Sequence, residues 1–115
     1  MLDDAAYTKG MINSLRRSGK SKRAILMRLT AKGLKRNIIE ETLTQYDTED
    51  HETCTDAERE AALTHARKKK LGPFRKKAVE DEQKIYQKEL ASMARAGFTY
   101  ETSRFVLKEK EIQDY

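Results

Sequence analysis

The sequence predicts an all-α protein in which tandem three-helix, helix-turn-helix-like repeats stack into one elongated, right-angled domain. Three observations lead there. Charged and hydrophobic residues each make up 37% of the 115 residues, with no Trp and a single Pro, a balance that suits short amphipathic helices with solvated outer faces. β-Branched residues are few and never alternate over a useful length, so strands have little to build on. The third observation is internal repetition: Leu26-x2-Leu29-x3-Gly33-Leu34-x8-Leu43 returns as Leu90-x2-Met93-x3-Gly97-Phe98-x8-Leu107, at a constant offset of 64.

Glycine supplies the punctuation, because a helix often ends on a left-handed residue that Gly adopts without a Cβ clash, and Gly19, Gly33, Gly72 and Gly97 fit that role. The first helix is expected from Asp3 or Asp4, as N-cap, to Ser18, with Ala5, Tyr7, Met11, Ile12 and Leu15 inward and Gly10 as a weak point. Ser21 caps a second helix ending near Lys32, on which Ile25, Leu26 and Leu29 form an apolar stripe. A third runs from Lys35 to Tyr46 and carries Ile38, Ile39, Leu43 and Tyr46. Asp47 to Thr55 reads as an acidic linker. Thr55-Asp56-Ala57-Glu58 has the spacing of a capping box and opens a fourth helix, which ends at Leu71-Gly72-Pro73 because proline cannot continue it. A fifth helix is expected from about Lys76 to Ala96, roughly 30 Å long, with Ile85, Tyr86, Leu90 and Met93 inward. Thr99 caps a sixth, carrying Phe105, Val106 and Leu107.

Residues 1–47 and 56–115 are therefore expected to be the two repeats, joined by the linker at 48–55. Matching Gly19 with Gly72 sets their first helices at an offset of 53, which leaves eleven residues around Pro73 to Lys84 as an insertion in the second copy. Each unit is too slight to bury much surface alone, and paired apolar seams are expected to hold the two together.

The formal net charge of +5 is sharply segregated. From Arg16 to Arg36 there are nine basic side chains and no acid, and Arg67, Lys68, Lys69, Lys70, Arg75, Lys76 and Lys77 form a second acid-free block. Asp47, Glu49, Asp50, Glu52, Asp56, Glu58 and Glu60 gather between them. This polarity points to an anionic partner, nucleic acid or an acidic protein surface. Cys54 is the one cysteine, so no intrachain disulfide forms and a reducing compartment is the natural reading. No long apolar run is present, and Met1-Leu2-Asp3-Asp4 is acidic where a signal peptide is basic. A cytoplasmic monomer without membrane association is expected.

Two strings make the pattern specific: Ala66-Arg67-Lys68-Lys69-Lys70-Leu71-Gly72-Pro73-Phe74-Arg75, and Leu90-Ala91-Ser92-Met93-Ala94-Arg95-Ala96-Gly97-Phe98-Thr99-Tyr100. With Tyr7-x3-Met11-Ile12 and Arg17-Ser18-Gly19-x5-Ile25-x3-Leu29-x3-Gly33-Leu34 before them, the chain resembles the RecX family of RecA regulators, built from tandem three-helix repeats. The resemblance covers nearly the whole length: the first copy is similar to the family's middle repeat and the second to its last, and nothing matches the first of the usual three. It implies a non-enzymatic regulator, acting in DNA repair and the SOS response, that binds along the groove of the RecA filament on single-stranded DNA, limits filament growth or promotes disassembly, and thereby restrains homologous recombination and RecA-dependent repressor cleavage; no cofactor is expected. The residues expected at the interface with RecA and DNA are Arg16, Arg17, Lys20, Lys22, Arg23, Lys35, Arg36, Arg67, Lys68, Lys69, Lys70 and Arg75.

Other readings carry less. A general helical nucleic-acid-binding module using the same basic corners is the alternative. Leu29 to Leu43 has the outline of a DNA-reading helix-turn-helix, but Glu40 and Glu41 would face phosphates and no side-chain pair is placed for bidentate base contacts. His51, Cys54 and His65 are too few for a tetrahedral zinc site. No phosphate loop or nucleophile elbow suggests an enzyme, and Glu80, Asp81 and Glu82 read as a solvated face. Tyr86, Phe98, Tyr100 and Phe105 sit at core-like spacing.

Overall fold

The computed structural model describes residues 4–51, 53–75 and 81–109, and among them every regular element is helical. The six helices are α1 (Asp4–Arg17), α2 (Lys22–Ala31), α3 (Arg36–Asp50), α4 (Cys54–Lys69), α5 (Glu82–Arg95) and α6 (Tyr100–Arg104). A one-turn 3-10 helix covers Gly72–Phe74, and α6 passes into a π-helical turn at Phe105–Glu109. The body is elongated, 57 × 27 × 20 Å along its principal axes.

Local chemistry sets most boundaries. Ser21 caps α2 by accepting from the Ala24 amide at 3.1 Å, and Thr99 caps α6 by accepting from the Thr102 amide at 3.3 Å. On α1 the buried face is Thr8, Ile12 and Leu15, at helical spacing, with Met11 half-buried beside them. Tyr7, expected inward, is exposed, because the face that meets α3 is rotated by one residue and takes Thr8 instead.

The acidic middle of the chain is more helical than expected. α3 continues past Tyr46 to Asp50, since Asp47 lies one turn beyond Leu43 and two beyond Ile39 on the same buried stripe. α4 then starts at Cys54, with Thr53 rather than Thr55 as its cap, accepting from the Asp56 amide at 3.2 Å. Far less of the acidic stretch thus lies outside helices than the expected linker from Asp47 to Thr55. The expected start of the fifth helix at Lys76 lies outside the described residues; from Asp81, whose carboxylate accepts from the Lys84 amide at 3.0 Å, α5 is capped and regular.

One pair of hydrogen bonds closes four helices in the same way. Past α1, the amides of Gly19 and Lys20 donate to the carbonyls of Arg16 and Leu15, both at 3.0 Å. The same pairing occurs at Gly33 and Leu34, at Gly97 and Phe98, and at Lys70 and Leu71. Lys70, at φ 57°, therefore holds the place in the second repeat that Gly19 holds in the first, an offset of 51 and not 53. Gly72 lies beyond this closing and belongs to the 3-10 turn.

Each repeat has its own apolar core. Ile12, Leu15, Ile25, Leu29, Ile39 and Leu43 fill the first; Ala61, Ala62, Ala66, Met93, Phe98, Val106 and Leu107 fill the second. The expected apolar seam between them is replaced by a joint of ion pairs and close backbone approach. Gly19 lies against α4 so tightly that a Cβ would stand 2.9 Å from the His65 backbone nitrogen and 3.1 Å from the Ala61 carbonyl oxygen. In the reverse direction, Gly97 of the second repeat abuts Ser21 and Arg23 at the start of α2, where Ser21 Oγ donates to the Ala96 carbonyl at 2.7 Å. Each repeat thus seats a positive-φ glycine corner on the other.

Candidate functional site

The basic residues singled out from the sequence divide into inward and outward groups. Arg16 is inward. Its Nε and Nη2 donate to the two carboxylate oxygens of Asp47 at 3.1 and 2.8 Å, and Nη1 donates to Glu58 at 2.7 Å and to the Lys20 carbonyl at 3.1 Å. The side chains of Arg16 and Asp47 are 6% and 2% exposed. Glu58 also accepts from the Lys22 amide at 2.9 Å, so one arginine clasps α1, α3 and α4. Burial opposes the charge on Arg16, but its hydrogen bonds to Asp47 and Glu58 and their negative charges outweigh it and raise the guanidinium pKa above its ordinary value. Arg16, expected at the interface with RecA and DNA, is therefore held inside the joint by Asp47 and Glu58. Arg75 is also turned inward: half-buried, its Nε lies 3.0 Å from a carboxylate oxygen of Glu89, whose Oε2 accepts from the Gly72 amide. Glu89, Asp47 and Glu58 were missed as partners because nothing in their local sequence separates them from solvated acids.

Arg17, Lys22, Arg23, Lys35, Arg36, Arg67, Lys68, Lys69 and Lys70 are exposed, and Lys20 is half-buried. The fold brings part of both basic blocks to one corner. Lys68 Nζ donates to the Ser18 carbonyl at 3.0 Å, linking the end of α4 to the end of α1 across fifty residues of sequence. His65 marks the centre of this corner. Burial, followed by the charges of Lys69, Lys20 and Lys68, holds its pKa below the ordinary imidazole value, and its ring packs on Phe98 at 5.7 Å between centroids. Arg67, two positions further, lies over the Phe74 ring at 5.5 Å. Lys22, Arg23, Lys35 and Arg36 lie apart from this corner in the chain, along α2 and the start of α3; Arg36 pairs with Glu40 one turn on at 3.1 Å.

The three residues considered for a metal separate: His51 Nε2 pairs with Glu60, His65 packs on Phe98, and the Cys54 side chain lies outside the described residues. The Glu60 hydrogen bond raises the His51 pKa above its ordinary value against a smaller opposing effect of burial. Beside this pair, a cleft of about 440 Å³ between the repeats is lined by Arg17, Tyr46, Asp47, His51, Glu60 and Thr64 among others, a mixture of both charges. Among the described residues no helix is long and apolar enough to cross a membrane.

Fold and surface define a tandem three-helix-repeat protein whose two basic blocks meet at one corner. A family model for the second three-helix domain of RecX matches residues 3–43, the first repeat, and the chain belongs to the RecX family. The regulatory protein RecX of Myxococcus xanthus is 36% identical over 107 residues, covering 93% of this chain and 54% of that one. The regulatory protein RecX of Agrobacterium fabrum is 38% identical over 111 residues, covering 92% and 51%. The chain thus spans about half the length of these curated relatives. No solved structure matches it.

Proposed function

We propose that the chain regulates the RecA recombinase without catalysing a reaction, by binding the RecA filament on single-stranded DNA and limiting its assembly. Restrained recombination and RecA-dependent repressor cleavage follow from that. The observation that carries this reading is the meeting of two acid-free basic blocks at the Ser18 and Lys68 corner, with Arg17, Lys69 and Lys70 exposed beside it. A concentrated positive corner on a rigid helical joint suits a partner that is itself densely anionic, as a nucleoprotein filament is. The relatives' description as regulatory proteins supports the same reading.

Co-sedimentation with RecA filaments, with and without single-stranded DNA, tests it. Binding is expected to need the protein filament and to weaken with salt, by a log-log slope of about 0.7 for each DNA phosphate contacted. Lys69→Glu with Lys70→Glu is expected to weaken it while far-UV circular dichroism stays unchanged. Equal binding to naked single-stranded DNA would replace the proposal with a general nucleic-acid-binding module, and unchanged binding by the double variant would remove this corner from the interface.

A further inference from the structure

The outer face of α2 is dressed differently from its own copy. The offset of 64 lays α2 on α5, and two of the inward positions keep their character: Leu26 matches Leu90, and Leu29 matches Met93, while the buried Ile25 is matched by the buried Glu89. The outward positions do not. Arg23 stands where the second repeat has Gln87, Met27 where it has Ala91, and Arg36 where it has Tyr100. Met27 is 65% exposed, and Ala91 is exposed at the matching place, so packing of the repeat requires no large apolar side chain there. Met27, Leu26, Thr30 and Ala31 instead line an open cleft of about 540 Å³ that also takes in Arg23 and Arg36.

We propose that this cleft docks an acidic amphipathic helix of a protein partner, one large apolar side chain lying on Met27 and Leu26 and carboxylates reaching Arg23 and Arg36. Charge decides the occupant. The cleft takes two arginines, the stretch from Lys22 to Arg36 contains no acid, and Arg28, Lys32 and Lys35 of that stretch are exposed, so a basic segment would be repelled. Glu40, paired with Arg36, is the nearest identified acid and leaves the excess strongly positive. A phosphate backbone would leave the apolar floor unused, whereas the apolar stripe of a helix covers it, and a flexible thioether fits itself to such a stripe. The cleft shares no lining residue with the Ser18 and Lys68 corner, and the proposal stands whether or not RecA is the partner.

The test is fluorescence anisotropy on the full chain. The probe is a fluorescein-labelled peptide of about 15 residues, with Leu at helical spacing and Glu elsewhere. Its controls are the same peptide with Lys for Glu, and an oligothymidylate of similar length. The Glu peptide is expected to bind, the Lys peptide not to, and the oligonucleotide not to compete. Arg23→Gln with Met27→Ala installs what the second repeat already tolerates and is expected to weaken binding at least about tenfold, while Lys69→Glu leaves it unchanged. In the unsubstituted protein the Met27 εCH3 resonance is expected to shift when the Glu peptide is added. No binding, equal binding of the Lys peptide, competition by the oligonucleotide, an unmoved Met27 methyl or unchanged affinity in the double variant would each overturn the proposal. Filament co-sedimentation reads the RecA proposal separately, so failure of one leaves the other standing.

Discussion

Replacing Arg16 by Met removes the single cation that balances two carboxylates, one of them almost wholly out of water. Asp47 is 2% exposed and loses both of its arginine hydrogen bonds, at 3.1 and 2.8 Å. Glu58, 16% exposed, keeps the Lys22 amide as a partner. Removing one side of a buried pair costs about 3–5 kcal/mol, mostly through the stranded charge. That is a large share of the roughly 5–15 kcal/mol that stabilises a domain of this size. Urea unfolding followed by far-UV circular dichroism should show the loss, and at about 4 °C or more per kcal/mol the melting temperature should fall by at least about 12 °C. The deficit should survive in 1 M salt, where exposed pairs are screened and this one is not. Arg16→Met with Asp47→Leu should regain about half of the loss or more, because the stranded carboxylate goes with the arginine. A cost below about 1 kcal/mol, the range of exposed pairs, or a cost that vanishes in salt would refute the reasoning.

Three further outcomes follow from the same geometry. Lys70→Gly should raise stability by about 0.5–1 kcal/mol in urea titrations, because Lys70 sits at φ 57° where Gly carries no Cβ penalty. Gly10→Ala should stabilise by a similar amount, since nothing lies within 4 Å of the added Cβ inside α1, whereas Gly97→Ala should destabilise by about 2–4 kcal/mol through its φ of +96° and the contact with Ser21. The two histidines should titrate on opposite sides of the ordinary value of 6.5 in proton NMR, His51 above it and His65 below. The signs for stability are opposite as well. The His51 contribution is present below 6.5 and lost as pH rises through its raised pKa, while the His65 contribution weakens as pH falls from 6.5 toward its lowered pKa. His51→Gln should abolish the first trend and His65→Gln the second.

Features written within a few neighbouring residues are legible in the sequence. Ser21 and Thr99 cap the helices expected of them, and Gly19, Gly33 and Gly97 close helices where the punctuation placed them. The repeat at an offset of 64 carries Leu29 and Met93, and Leu43 and Leu107, into matching core positions. The Gly19 and Gly72 match misled by two residues because a glycine next to a proline looked like the stronger stop, yet the hydrogen bonds close α4 on Lys70. Thr55 lost the cap to Thr53 for a comparable reason: both precede an acid by three residues, so the local sequence does not separate them.

For the site, the two basic blocks were plain in the sequence, but which of their members face outward was not. Arg16 and Arg17 are neighbours in an acid-free run; one is clamped by Asp47 and Glu58, from 31 and 42 residues away, and the other is exposed. The sequence alone determined helices, their caps, their duplication and the segregation of charge, because each depends on contacts within one or two turns. Tertiary structure decided that Arg16, Asp47 and Glu89 are interior, that the half-buried Glu58 pairs with Arg16, and that Lys68 reaches Ser18. Those outcomes depend on how one repeat is turned on the other, because the partners of each pair lie tens of residues apart and meet only where the glycine corners let the repeats approach closely.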